Sequence, residues 1–231
     1  MITLRKLNQA YGGSQILWDL DLEVTEGSVT CLMGRNGVGK TTLLKCLMGL
    51  LPIRSGEILL GGRDIAAQTA EFRPRNGVGY VPQGRDIFPL LSVEENLRVA
   101  LAGRAGKSRT IPARIFELFP VLAEMLDRRG GDLSGGQQQQ LAIGRALVLE
   151  PQVIILDEPN EGIQPNIVQQ IGDVILKLNR EEGLTVLLVE QKLNFARRVA
   201  GEFRLMEKGR VVATGAMSEL SDELVSRHLA V

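Results

Sequence analysis

Apolar residues along this chain follow two periods, and their alternation predicts a layered α/β domain. Three short runs are apolar almost throughout: Ser28-Val-Thr-Cys-Leu-Met33, Val153-Ile-Ile-Leu156 and Thr185-Val-Leu-Leu-Val189. Runs with no polar face fit parallel strands covered on both sides. Elsewhere the period lengthens to that of a helix. Pro165 to Leu178 places Ile167, Val168, Ile171, Val174, Ile175 and Leu178 on one face, and Gln137 to about Leu149 does the same with Leu141, Ile143, Ala146 and Leu147. Thr41 to Met48 reads as a helix directly after the first apolar run, and Met217 to Leu229 as a terminal helix. Short strands are expected at Ile2–Leu7, Leu20–Val24 and Gly56–Leu60, forming an antiparallel sheet. A hairpin is expected over Arg204–Thr214, around Lys208-Gly209.

The turn between the first buried strand and its helix carries the first chemistry. Gly34-Arg35-Asn36-Gly37-Val38-Gly39-Lys40-Thr41 fits G-x-x-x-x-G-K-[ST] at every fixed position, and Thr42 follows as a further candidate for binding the nucleotide. The glycines let successive backbone N–H groups point inward at phosphate oxygens. Lys40 then reaches the β and γ phosphates, and the Thr41 hydroxyl can ligate magnesium. The helix N-terminus adds a field that favours anions. The strand ending at Leu156 delivers Asp157 and Glu158 to the carboxyl end of the sheet, where open α/β folds bind ligands. Asp157 is placed to hold Mg²⁺, and Glu158 is the candidate base for an attacking water. Alone, the pair would read equally well as a strand ending in solvated acids.

Leu133-Ser134-Gly135-Gly136-Gln137 opens the next helix. Ser134 and Gln137 stand in capping-box positions, which accounts for the serine and the glutamine. Two glycines in a first helical turn cost roughly 1 kcal/mol each and call for another reason, such as close approach of the backbone to a ligand. A helix N-terminus with a serine hydroxyl is a phosphate site. One ATP has no obvious use for two such sites in one monomer. A two-fold dimer, in which this segment caps the γ phosphate held by the partner's phosphate loop, resolves the surplus.

On these residues the chain resembles an ATP-binding subunit of an ABC transporter, over essentially its whole length. The resemblance implies a P-loop NTPase (RecA-like) α/β core with an antiparallel β subdomain and a helical signature subdomain. Within one ATP-binding domain over residues 1–231, strands at about 1–30 and 56–60 form the β subdomain. Residues of about 31–83 and 150–215 form the core, about 88–149 the helical subdomain, and 216–231 a C-terminal helix. It also implies that Tyr11 stacks on adenine, and that Gln83, in Gly79-Tyr-Val-Pro-Gln83, touches Mg²⁺ and senses the membrane subunits. Taken singly, Tyr11 reads as a surface aromatic and Gln83 as a loop polar residue.

Two positions depart from the family pattern. Where most members read Ser-Ala-Leu-Asp, this chain has Asn160-Glu161-Gly162-Ile163, so the usual cross-dimer aspartate is missing. The switch position that usually carries histidine is Gln191. Its amide can donate a hydrogen bond to a γ phosphate but cannot take up a proton, which leaves Glu158 as the main catalytic candidate. The phosphate-loop sequence, Asp-Glu-Pro-Asn-Glu-Gly-Ile-Gln-Pro and Leu-Val-Glu-Gln are similar to the second ATPase subunit of branched-chain amino acid importers. Glu-Gly-Ile-Gln-Pro and Ser14–Leu20 look most like the urea-importing branch.

Composition narrows the alternatives. Lys+Arg and Asp+Glu are equal at 27 each, so there is no global electrostatic case for nucleic acid. A DNA-repair ATPase with the same head would carry long coiled-coil insertions, and no sustained heptad is seen. A translation factor of this type usually joins two such heads. A kinase would leave the Leu133–Gln137 segment unexplained. Cys31 and Cys46 read as small packing residues in a reducing compartment. The lone histidine, His228, is expected on the surface of the terminal helix. No stretch approaches 18 apolar residues, so membrane work requires docking on separate permease subunits. The expected setting is therefore the cytoplasmic face of the membrane. A second ATP-binding subunit, identical or a sibling, is implied beside it, with a solute-binding protein acting indirectly. The loop Gly84-Arg-Asp-Ile-Phe-Pro89 is a candidate groove for a permease helix.

Overall fold

The computed structural model describes residues 1–104 and 110–229; residues 105–109 of the expected helical region and 230–231 of the expected terminal helix lie outside them. The chain begins with β1 (Ile2–Tyr11) and β2 (Ser14–Val24), then β3 (Val29–Met33), α1 (Lys40–Leu47), β4 (Ser55–Leu60) and β5 (Arg63–Asp64). It continues through α2 (Phe72–Arg75), β6 (Val78–Val81), α3 (Val93–Leu101), α4 (Arg114–Leu118), α5 (Pro120–Glu124) and α6 (Gly135–Leu147). The last part is β7 (Val153–Asp157), α7 (Pro165–Glu182), β8 (Thr185–Val189), α8 (Leu193–Val199), β9 (Glu202–Glu207), β10 (Arg210–Ala216) and α9 (Asp222–His228).

Two sheets result. One has the order β2-β1-β4-β5 and is antiparallel; the other has the order β10-β9-β3-β8-β7-β6 and is parallel except for its terminal β9–β10 hairpin. Strands β3, β7 and β8 are buried at every residue, which explains their unbroken apolar sequences. Their side chains alternate between two cores. Cys31, Ile154, Leu156, Val186 and Leu188 join α3, α6 and α7 on one face. Leu32, Val153, Ile155, Leu187 and Val189 join α1 and the antiparallel sheet on the other. Both thiols are free and buried, and burial pushes each upward, Cys46 to about 12, so neither forms thiolate near neutrality.

Three elements differ from the sequence expectation. Strands β1 and β2 run past their apolar stretches because each pairs with the other through polar residues. Register shifts, with Lys6 and Asp19 at φ 44° and 40°, are closed by Asn8 and Asp19, whose side chains and backbone hydrogen-bond at 2.8 and 3.0 Å. The terminal helix is broken: a 3₁₀ turn covers Met217–Glu219, and Ser221 caps α9 by accepting from the Leu224 N–H at 3.2 Å. His228 is half-buried rather than on the surface, with Nδ1 2.7 Å from Glu207 Oε2.

One buried cation fastens the α1 end of the molecule. Arg73 is fully buried and donates from Nε to Leu47 O (3.0 Å), from Nη1 to Thr69 O (3.0 Å) and Gln68 O (2.5 Å), and from Nη2 to Ile65 O (3.0 Å). Arg73→Met would strand those carbonyls out of water and is expected to lower the unfolding free energy by about 3 kcal/mol. Urea denaturation would check this, and a loss under about 1 kcal/mol would mean that water replaces the guanidinium.

Candidate functional site

The phosphate loop is mounted between β3 and α1 against unyielding backbone. A Cβ on Gly34 would lie 2.5 Å from Met206 O, and one on Gly39 would meet Met206 Cε and Leu17 Cδ2 at 3.0 and 3.1 Å. Gly209, in the β9–β10 turn, donates to Val38 O at 3.0 Å and accepts from the Trp18 N–H at 3.0 Å. No larger residue fits there, since its Cβ would sit 1.9 Å from Ile16 O. Gly39 caps α1 at φ 106° with no side-chain hydrogen bond, so the first N–H groups of the helix are not claimed by a capping side chain. Lys40 is buried and folds back across the loop, donating to Gly34 O at 2.7 Å and Arg35 O at 3.0 Å. Burial lowers its pKa, while Glu158 and Asp157 act in the opposite sense.

Strand β7 ends in the two acids, and they differ sharply. Asp157 is buried, and its Oδ2 has no hydrogen-bond partner. Desolvation first, and then the adjacent Glu158, push its carboxyl up to about 6, against the pull of Lys40. An unpartnered, desolvated carboxylate is the kind of donor a divalent cation satisfies. Glu158 sits in the left-handed region at φ 48°, a conformation that costs a non-glycine residue roughly 1–2 kcal/mol. That turn aims its carboxylate back toward the phosphate loop. Its Oε1 lies 3.8 Å from Lys40 Nζ and accepts from Gln191 Nε2 at 2.5 Å; Oε2 accepts from Gln83 Nε2 at 3.3 Å. Gln191 also donates to Asn36 Oδ1 at 2.7 Å, tying the end of β8 to the phosphate loop.

Lys40, Asp157, Glu158, Gln83, Gln191 and Asn36 are thus brought together, with Thr41 and Thr42 half-buried in the first turn of α1. Residues that sequence reasoning passed over hold this cluster in place. Glu190 is buried and accepts from Asn160 Nδ2 (2.7 Å) and from the backbone N–H groups of Gln191 (2.8 Å) and Lys192 (2.9 Å). Glu161 accepts from Gln83 Nε2 at 3.0 Å. Arg85, at φ 73°, donates to Glu161 O at 3.3 Å and to Gln138 Oε1 at 3.0 Å. An acid at the end of a wholly apolar strand was the available signal for Glu190. Nothing in the local sequence pointed to Glu161 or Arg85.

The Leu133–Gln137 segment forms the capping box: Ser134 N–H donates to Gln137 Oε1 at 2.9 Å, and Gln137 N–H to Ser134 Oγ at 3.4 Å. One of its glycines has an internal reason to be small. A Cβ on Gly136 would lie 3.0 Å from Ile167 Cγ1, so a larger residue would press on α7. Gly135 sits under the Arg85 guanidinium, where a Cβ would be 3.2 Å from Nη2. The segment opens on a cleft of about 840 Å³ that Gly162, Gln164 and Ile167 also line, and no residue of the phosphate loop lines it. Tyr11, at the end of β1, is 48% exposed. In the loop after Gln83, Phe88 is exposed under the Arg145 guanidinium, 4.6 Å from its ring centre. Leu90 is 80% exposed, whereas Ile87 packs against the core.

Comparison with known proteins agrees with this arrangement. Residues 17–161 match the model of the family described as ABC transporter. A high-affinity branched-chain amino acid transport ATP-binding protein of Pseudomonas aeruginosa, BraG, is 41% identical over 221 residues, covering 94% of each chain. A probable branched-chain amino acid transport ATP-binding protein of Archaeoglobus fulgidus, LivF, is 38% identical over 222 residues, covering 95% of this chain and 94% of that one. Among solved structures, a dimeric post-hydrolysis state of the ATP-binding cassette MJ0796, bound to ADP and Pi, superposes with a TM-score of 0.84 at 26% identity. That match covers 94% of this chain and 99% of that chain.

Proposed function

This chain belongs to the ABC transporter family, and we propose that it is the ATP-hydrolysing subunit of an importer for a small polar solute of the branched-chain amino acid or urea type. The observation that carries the reading is the convergence of Lys40, Gln83 and Gln191 on the one carboxylate of Glu158. The amino acid relatives support the first solute class, and the stretch Glu161-Gly162-Ile163-Gln164-Pro165 favours the second. Among the described residues no helix is long and apolar enough to cross a membrane, so the solute path belongs to separate permease subunits.

In this mechanism the α1 N–H groups and the backbone of Gly34, Arg35, Asn36, Gly37, Val38 and Gly39 bind the β and γ phosphates. Lys40 exchanges its two loop carbonyls for phosphate oxygens. Tyr11 stacks on the adenine, and Thr42 supports the phosphate end of the helix. Thr41, Gln83 and Asp157 would hold a magnesium ion, which when bound neutralises phosphate charge. Glu158 takes the proton of the attacking water, and Gln191 holds Glu158 in place and donates toward the γ phosphate. Ser134, Gly135, Gly136 and Gln137 complete the site of a second ATP-binding subunit, whether a copy or a sibling. Residues 1–231 act as one unit, the antiparallel sheet near the adenine and the helical region near the permease. ATP closes the pair and hydrolysis reopens it.

Co-purification from solubilised native membranes tests the reading. Two hydrophobic permeases, a related ATPase and an associated solute-binding protein would support it, and ligand screening of the last would separate amino acid from urea. Ribosomal or nucleic-acid partners instead would overturn the transport assignment. Docking of a permease helix on the exposed Phe88 and Leu90 adds a sharper test. Phe88→Ser with Leu90→Ser is expected to lower transport by roughly 10-fold while leaving ATP binding unchanged. Full transport in the double variant would remove that surface from the interface.

A further inference from the structure

We propose that Glu161 is a positioning residue that fixes which end of the Gln83 carboxamide faces the nucleotide site. The inference rests on the reading of Gln83 as a magnesium ligand. A carboxamide has two N–H donors and one carbonyl acceptor. In Gln83 both donors are taken by carboxylates, Glu161 Oε2 at 3.0 Å and Glu158 Oε2 at 3.3 Å. The carbonyl Oε1 is then the side chain's remaining polar atom, and it is the atom a hard cation takes. The reversed amide would set its carbonyl oxygen against two carboxylates, so the acids select one orientation.

Glu158 cannot make this selection alone. Its contact is the longer of the two, and the same carboxylate is engaged by Gln191 and reserved for the water. Glu161 has no such second duty, and its own backbone is fastened. Arg85 donates from Nη2 to Glu161 O at 3.3 Å and from Nη1 to Gln138 Oε1 at 3.0 Å, on the helix that begins with Ser134. Arg85 and Glu161 therefore form a polar link between α6 and the Gln83 amide. Partners that orient a metal ligand in this way are worth about 10- to 100-fold in metal affinity.

The test compares binding of the β,γ-imido analogue of ATP with magnesium and with chelator, by calorimetry, in the full chain and two variants. Glu161→Ala is expected to weaken the magnesium-bound analogue about 10-fold and to leave the metal-free affinity unchanged. Glu161→Gln can donate to the reversed amide as well as accept from the native one, so it no longer selects the orientation and is expected to share most of the loss. Glu161 is exposed, and unchanged metal-free binding reports an intact fold. Equal loss in both conditions, or no loss in either, would overturn the proposal while leaving the ATPase reading in place. A parent chain that binds the analogue in neither condition would instead overturn the ATPase reading itself.

Discussion

Glu158→Gln is expected to cut ATP turnover by roughly 1,000-fold, the middle of the range for a positioned general base. The substitution preserves shape and keeps one acceptor oxygen where Gln83 and Gln191 now use two, Oε2 at 3.3 Å and Oε1 at 2.5 Å, so one of the two contacts is lost. It removes the basic oxygen that would take the proton of water. It also removes the negative charge 3.8 Å from Lys40 Nζ, so the lysine meets phosphate with less competition. Nucleotide affinity should therefore hold or rise, and the ATP-bound pair should persist long enough to elute as a dimer. Phosphate release and size-exclusion chromatography check the two halves. Turnover within about threefold of the parent would take Glu158 out of its role.

Gln191→Ala is expected to lower turnover by roughly 100-fold, comparable to losing one donor to developing charge. The structure adds a second reason. The Gln191 amide joins Glu158 Oε1 to Asn36 Oδ1 at 2.5 and 2.7 Å, and without it the base loses its link to the phosphate loop. An amide does not titrate, so the parent's pH–rate profile should carry no inflexion from this position. Gln191→His should introduce one near the ordinary histidine range, about 6.5. Identical profiles for the parent and the histidine variant would show that residue 191 stands outside the transition state.

What the sequence made legible follows from the range of the forces involved. The phosphate loop, the buried strands and the Ser134 cap are written in local terms: glycines that fix backbone shape, apolar runs and a four-residue reciprocal cap. Each can be read within a dozen residues. The tethers of the site cannot. Gln191 meets Asn36 across 155 positions, and Gln83 meets Glu161 across 78; such bonds exist only once the sheet order has brought those loops together. The double glycine after Ser134 carries a second constraint that the local sequence did not show, since a Cβ on Gly136 would press on Ile167 Cγ1 at 3.0 Å. His228 was misread for a related reason, since the acid that engages it, Glu207, comes from a different element.

The close seating of the phosphate loop against β2 and the β9–β10 turn has a thermodynamic corollary. Gly34 and Gly39 are packed closely on neighbouring atoms, as is Gly209 in the turn that braces Val38, so the two ends of the loop are held while Gly37 between them has open space. Those ends should meet the ligand already ordered, and little conformational entropy remains to be lost there on binding. The freedom that a working cycle needs must then reside where the joints are polar and exchangeable, at Arg85, Gln138, Asp86 and Arg145. Hydrogen exchange should accordingly find the protection gained on nucleotide binding around these joints more than at the ends of the phosphate loop.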